Sequence, residues 1–587
     1  MSAQPNLTIE SAPASGARTP GQDSVTLRSE DGTADEKRPT SQDKDVEKAD
    51  SVQDEKVTAA VVDPNEDKLV HGWKLITIFI GMLLSIFLVA LDQTIVATAI
   101  PRIASQFNAL EQVTWIASAY FLTQAGLMLT YGQILRVAPT KYVYLTAVAI
   151  FEVGSAICGA APNINVLIFG RAFAGVGAAG IFVSCLSIIA VITKLEQRPL
   201  LFGLFGGVFA LSSVIGPLMG GAFTDHVSWR WCFYINLPFG AITVGSIIFF
   251  VKAEHSIAPR TSQSGAPTWR RLITNIDWLG SLLCLAMVTS LLLPLQWGGV
   301  TKAWTDKSVI ACFVVFAVLL FVWLGWEWYM GDDAVMPLSL FKRRTQVGAC
   351  LEAFFIMLIL LCAAYYLPLY YQSAEQHSAT RSGIDILIYM IMVVFGAAVG
   401  GGIINFTGRP LPFLIGSPVL ASIGAGIVFW CLTKNPSPSI LYGCQVLLGI
   451  GIGGAMQNTI IVIQAEYVNE PEMVPQSTSL VNFTQLVGGI IGIAISGTIF
   501  GNQLSKSLTH YAPNLDPSLA VAVKQSVQVI YTLTGDDKAH VIRAYSEALG
   551  YVFILAIPCG ILASVSGILI KNYNLKEIKL QPGMAAA

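Results

Sequence analysis

The feature that most constrains this chain is a succession of apolar runs, each about twenty residues long. They fall near 74–98, 113–134, 142–161, 165–190, 200–223, 232–251, 278–296, 308–328, 347–371, 383–404, 412–432, 439–463, 477–500 and 548–570. A helix of that length crosses the hydrocarbon core of a bilayer. Hydrophobic residues make up 54% of the chain and charged residues only 12%, with a mean hydropathy of +0.62. Such a balance excludes an ordinary soluble protein. The runs predict an all-α polytopic membrane protein with fourteen transmembrane helices.

Lysine and arginine in the loops set the orientation of such a protein. With the N-terminus inside, the inner segments carry fifteen of them and the short outer loops six. Both termini are therefore expected in the cytosol. Residues 1–72 are polar and charged without apolar period and read as a disordered cytosolic tail. Residues 73–251 read as a first six-helix bundle, 252–276 as a cytosolic linker and 277–329 as an inserted helix pair. A second six-helix bundle is expected over 345–571, including an outer loop at 501–547, with a cytosolic tail at 572–587. Two six-helix halves around a central site are a common transporter plan.

Segment 203–238, GLFGGVFALSSVIGPLMGGAFTDHVSWRWCFYINLP, is the most informative of the spans. A proline inside a helix loses a hydrogen bond and costs about 3 kcal/mol. In a membrane the freed carbonyl must find another partner. Pro217, flanked by Gly216, Gly220 and Gly221, thus predicts a helix built to bend or to pack closely. Gly203, Gly207, Ala210, Ser213, Pro217 and Gly220 recur at steps of three and four, which predicts one face of small residues. A second small stripe, Gly170, Ala174, Gly177 and Gly180, marks the fourth span.

Charges inside spans are costly and point to function. Arg171 lies about a turn inside the fourth span and should face a cavity and an acid. The candidate acids are Asp92, late in the first span, and Glu152, in the middle of the third. Glu352 opens the ninth span and is expected at the cytosolic interface beside Lys342–Arg344. Buried carboxylates hold protons more tightly than exposed ones, as proton coupling requires. Trp115, Tyr120, Gln124, Tyr365, Tyr366, Tyr370, Tyr371, Gln372 and Gln457 are candidates for a ligand cavity or for interfacial belts. All ten cysteines fall in or beside spans without CxxC or Cys/His spacing, which points to buried thiols and to no metal site. No phosphate-binding loop, metalloprotease, hydrolase or dinucleotide fingerprint stands in context, so neither an enzyme nor a cofactor is expected.

Several segments resemble the major facilitator superfamily, and within it the fourteen-span drug:proton antiporter branch. LDQTIVATAIP (91–101), GRAFAGVGAAG (170–180) and GPLMGG (216–221) are similar to the branch's motifs of the first, fourth and fifth helices. WRWCFYINLPFG (229–240), DWLGSLL (277–283), LQWGG (295–299), PLSLFKRR (337–344), LPLYYQ (367–372) and SGIDIL (382–387) follow in order. FEVGSAICGAAP (151–162) and RPLLFG (198–203) resemble fungal exporters of toxins and secondary metabolites. The resemblance implies the major facilitator fold and proton-driven efflux of a small amphipathic metabolite or drug. It implies a monomer at the plasma membrane, with a vacuolar membrane as the alternative. Arg171 with Asp92 or Glu152 would serve proton linkage, and Gly216, Pro217, Gly220 and Gly221 would serve helix mobility. One segment departs from the superfamily. The loop after the second span reads GQILRVAPTK (132–141), with Arg136 where an acid is usual, so the charge relay proposed for that loop cannot operate here. The rival expectations are a siderophore or basic amino-acid carrier on the same fold, and a membrane receptor or scaffold that transports nothing.

Overall fold

The computed structural model describes residues 72–107, 112–250, 275–298, 302–434, 438–525 and 527–577. By backbone contacts the chain divides into 1–62 and 63–587. The first unit lies wholly outside the described residues, as do nearly all of the expected tail and the 252–276 linker. Every element below belongs to the second.

The described residues are almost entirely helical. In chain order the helices are α1 (Trp73–Phe107), α2 (Val113–Val137), α3 (Thr140–Ala160), α4 (Ile164–Ile192), α5 (Arg198–His226), α6 (Trp231–Tyr234) and α7 (Asn236–Phe250). Next come α8 (Trp278–Trp297), α9 (Lys307–Met330), α10 (Arg344–Ser373), α11 (Ala379–Asp385), α12 (Leu387–Thr407) and α13 (Leu411–Lys434). The last are α14 (Pro438–Met456), α15 (Asn458–Glu466), α16 (Val474–Tyr511), α17 (Pro517–Gln525), α18 (Gln528–Thr532) and α19 (Gly535–Ile568). Among the described residues, twelve helical stretches are long and apolar enough to cross a membrane. Helices α2 and α5 are 25 and 29 residues long besides.

Every expected span coincides with helix. The expected outer loop at 501–547 is largely helical: α16 runs on to Tyr511, α17 and α18 follow, and α19 begins at Gly535. Hydropathy sees only the apolar part of a helix, whereas a nucleated helix propagates into polar sequence by one hydrogen bond per residue. Asp536 and Asp537 in the first turn of α19 also suit its positive end.

Helix α1 packs on α5 and α7, α2 on α4 and α8, and α3 on α4. Further along the chain α10 packs on α16 and α19, α12 on α14, and α13 on α14 and α19. Two pairs distant in sequence, α2 with α16 and α5 with α12, join these groups. The outer faces carry large exposed apolar side chains, among them Phe249, Phe321, Trp328 and Phe406. Helix α9 is the extreme case, with 11% of its apolar window buried. A surface so apolar is stable only against lipid.

The glycine stripe of α5 resolves into two faces. A Cβ on Gly203 or Gly207 would meet Ala397 or Val394 of α12. A Cβ on Gly216 would come 2.1 Å from Thr94 Oγ1, and one on Gly220 would come 2.4 Å from the Ile95 carbonyl, both on α1. The single face predicted from spacing therefore does not hold, because the two halves of a 29-residue helix touch different neighbours. Pro217 is exposed, and α5 runs through it unbroken, with Thr94 Oγ1 donating to the Ser212 carbonyl at 3.0 Å. Gly221 meets nothing within 4 Å. Replacing Gly220 by valine is thus expected to destabilise the fold by about 1–3 kcal/mol through overpacking. Gly221→Ala should be neutral or slightly stabilising, since alanine is the better helix former. Thermal unfolding in detergent distinguishes the two.

Candidate functional site

The fourth span's arginine finds its acid across the bundle. Arg171 Nη1 lies 2.5 Å from Asp92 Oδ2, and both side chains are fully buried. Arg171 Nε donates to the Ile116 carbonyl at 2.9 Å, and the guanidinium sits 4.3 Å from the centre of the Tyr120 ring. The residues that make this possible are small. A Cβ on Gly154 would come 2.5 Å from the backbone of Ala174, and one on Gly177 2.4 Å from that of Phe151, so α3 and α4 touch along their backbones. With α4 held that way, Arg171 is directed at α1 and α2.

Asp92 has a second partner that sequence reasoning missed. Asn236 Nδ2 donates to Asp92 Oδ1 at 3.4 Å and to Ser155 Oγ at 3.0 Å. Asn236 is the polar residue of the WRWCFYINLP turn, placed where α7 begins. The rest of that turn fixes it. Trp229 Nε1 donates to Gln106 Oε1 at 2.7 Å, and Arg230 Nη2 to the Ala161 carbonyl at 3.0 Å, tying the turn to the ends of α1 and α3. An asparagine flanked by aromatic and apolar residues near a span boundary was the available signal.

Glu152 stands beside this network but outside the ion pair. Ser155, one turn along α3, receives Asn236, while Gly240, one turn along α7, faces the Glu152 carboxyl. Neither carboxyl oxygen of Glu152 has a hydrogen-bond partner, and both are buried. The expectation for Glu352 needs correction. It lies two turns inside α10, fully buried, and neither of its oxygens has a partner. Helix α10 starts at Arg344, and the charges beside it are engaged elsewhere: Arg343 with Glu470 at 2.5 Å, and Lys571 with Glu466 at 2.9 Å.

A narrow cavity opens next to the network, one residue along α1 from Asp92. Gln93, Gln124, Gln457, Asn482 and Gln485 line it together with Phe182, Phe205, Phe209 and three methionines, Met128, Met357 and Met456. None of its described lining residues is charged. Its free space is about 70 Å³, below the roughly 300 Å³ of a small ligand pocket. Asn482 Oδ1 and Gln485 Nε2 are buried without partners. Of the residues named from sequence, Gln124 and Gln457 reach this cavity. Trp115 packs on Trp297, Tyr371 stacks with His377 and Tyr442, and Tyr365 is exposed. A larger groove of about 510 Å³ between α8 and α9 is lined by leucine, alanine, valine and a few small polar residues. None of its described lining residues is charged. Among the described residues no cluster of His, Cys, Asp and Glu could hold a metal ion.

This geometry, a long-helix bundle with a buried ion pair beside an uncharged cavity, agrees with what comparison shows. The sequence profile of the Major Facilitator Superfamily matches residues 82–493. The chain belongs to this superfamily. The MFS-type transporter astH of Aspergillus oryzae is 39% identical over 526 residues, covering 89% of this chain and 92% of that protein. The MFS-type efflux pump MFS1 of Arthroderma benhamiae is 38% identical over 543 residues, covering 92% and 100%. The fold is shared with the proton:xylose symporter XylE at a TM-score of 0.54 and 10% identity, over 84% of this chain and 94% of that one. This superfamily member is thus an efflux-type transporter of small molecules, related to fungal pumps and not to enzymes.

Proposed function

We propose that this transporter exports an uncharged or weakly charged amphipathic metabolite in exchange for protons, by alternating access. The observation that carries the reading is the cavity: amides, phenylalanines and methionines with no charge, set directly beside a buried carboxylate–arginine network. Aromatic and thioether groups take up apolar rings and chains of varied shape, while amides offer both donors and acceptors. A relative bears the name rubrofusarin-specific efflux pump aurT, from Gibberella zeae, at 36% identity over 87% of this chain. A carrier of basic amino acids calls for carboxylates on the cavity wall, and the described lining residues include none.

In this reading α2 and α5 also cross the membrane, which makes fourteen spans. Both helices contribute to the cavity wall: Gln124 and Met128 on α2 and Phe205 and Phe209 on α5 line it. Residues 73–251 and 345–571 form the two six-helix bundles, with 277–329 as an inserted pair. Both termini lie in the cytosol, the membrane is the plasma membrane, and the working unit is one chain. Asp92 with Arg171 holds the charge of the site, and Glu152 exchanges the proton. A carboxyl without hydrogen-bond partners is costly to ionise in an apolar bundle, which suits a group that must pick up a proton and later release it. Gly216 and Gly220 let α5 slide on α1, and Pro217 and Gly221 leave the outer part of α5 free to bend.

Purified protein in liposomes under an imposed pH gradient tests the reading. Accumulation of an uncharged fluorescent amphiphile against its gradient, driven by protons moving the other way, is the expected result. Co-directional uptake identifies a symporting carrier, and no flux in either direction identifies a receptor; either result overturns the proposal.

A further inference from the structure

The loop after α2 lacks the acid on which the superfamily's charge relay rests, and the structure places other contacts there. A Cβ on Gly132 would come 2.1 Å from Ser479 Oγ and 3.2 Å from the Cα of Gln476, so α2 and α16 meet almost backbone to backbone. Across this seam runs the segment that follows α9. Gly331, at φ +61°, turns the chain out of the helix. The next three carbonyls are each taken by a side chain. Arg136 Nη1 donates to the Asp332 carbonyl at 2.9 Å, Gln133 Nε2 to that of Asp333 at 2.7 Å, and Gln476 Nε2 to that of Ala334 at 3.2 Å. The first two donors belong to α2 and the third to α16.

The segment is itself held from the side of α8 and α9. Glu327 Oε2 accepts from the Met336 backbone N–H at 2.8 Å, and Ala334, Val335 and Met336 are buried. Asp277 caps α8 through the Gly280 N–H at 2.7 Å and receives Trp326 Nε1 of α9 at 2.9 and 3.0 Å, which fixes the two helices to each other. Gln133 completes the link, its Oε1 accepting from the Asp277 backbone N–H at 3.1 Å.

We propose that residues 331–337 are a strap that latches α2 to α16, and that the α8–α9 pair serves as its anchor. The proposal rests on the alternating-access reading above, in whose orientation this seam closes the cytosolic end. Separating α2 from α16 must break the bond to Gln476 or those to Gln133 and Arg136, because the strap is held on both sides at once. Backbone carbonyls thereby replace the missing relay. Hydrogen bonds to a peptide carbonyl do not titrate, so the three bonds that bridge the seam need no proton to form or break. The titratable groups at the strap are Glu327, which accepts from the Met336 N–H, and the side chains of Asp332 and Asp333. Gln133, Arg136 and Gln476 are positioning residues in this scheme and touch no substrate.

Hydrogen–deuterium exchange of the full chain in lipid nanodiscs tests the latch. Gln133→Leu and Gln476→Leu attack the strap from opposite sides, so a folding defect in one leaves the other informative. Each is expected to raise exchange about fivefold in peptides covering 128–137 and 474–482, with the melting temperature of the whole protein nearly unchanged. Gln476→Asn, which keeps a donor on a shorter arm, should recover part of the protection. Unchanged exchange at the seam in a folded variant overturns the proposal. So does faster exchange confined to 275–298 and 307–330, which would mean that the strap only fastens the α8–α9 pair. Exchange reports on the latch whether or not the wild type moves substrate, so a failure of the transport reading is seen separately, in the liposome assay.

Discussion

Replacing Arg171 by leucine is expected to cost about 3–5 kcal/mol of stability and to abolish transport. The magnitude follows from burial. Asp92 and Arg171 are both sealed from water, and removing one partner leaves an uncompensated charge in an apolar bundle. The pair as a whole is worth far less than that, because two desolvation penalties offset most of its attraction. The double variant Asp92→Asn with Arg171→Leu should therefore regain most of the lost stability while remaining inactive. The amide introduced in place of the Asp92 carboxylate keeps an oxygen that accepts from Asn236, so the α1–α7 contact survives. Thermal melting and liposome flux on the two single variants and the double variant provide the check. A double variant that melts as low as Arg171→Leu would mean that the site's contribution is not electrostatic.

The second large effect is expected at Glu152. Substitution by glutamine preserves shape, and the wild-type carboxyl has no hydrogen bond to lose. Folding should stay within about 0.5 kcal/mol of wild type. Proton-driven export should disappear, while exchange of substrate across the membrane in the absence of a pH gradient continues. That split separates a coupling group from a structural one, because a packing defect lowers both fluxes together. Export against a gradient at the wild-type rate would remove Glu152 from the mechanism and turn attention to Glu352. That second acid is just as unpartnered and lies in α10.

The relation between these acids explains why the sequence left them open. Asp92, Glu152 and Glu352 are each a single carboxylate in an apolar run, and nothing local distinguishes them. Pairing requires knowing which helix faces which. Asp92 and Arg171 are 79 residues apart in sequence and meet because α1 and α2 are both neighbours of α4. The position of Glu352 was misjudged for a simpler reason. Its closeness to Lys342, Arg343 and Arg344 in sequence suggested an interface, but two helical turns move a side chain about 12 Å. Asn236 lay within a motif already recognised, yet its role needed the turn that aims it at Asp92.

What the sequence determined by itself was the membrane class, the position of every long helix and the superfamily. Each of these depends on local quantities: run length against bilayer thickness, and short motifs in order along the chain. The small stripe of Gly170, Ala174, Gly177 and Gly180 was legible in the sequence, but that it meets α3 was not. The tertiary structure alone decided the rest. It split the α5 stripe between α1 and α12, chose Asp92 over Glu152 as the partner of Arg171, and assembled an uncharged cavity from seven helices. It also bridged the α2–α16 seam with three carbonyls from a segment two hundred residues beyond Gln133. Each of these is set by side chains that converge from distant parts of the chain. Their convergence follows from helix packing, which no window along the sequence contains.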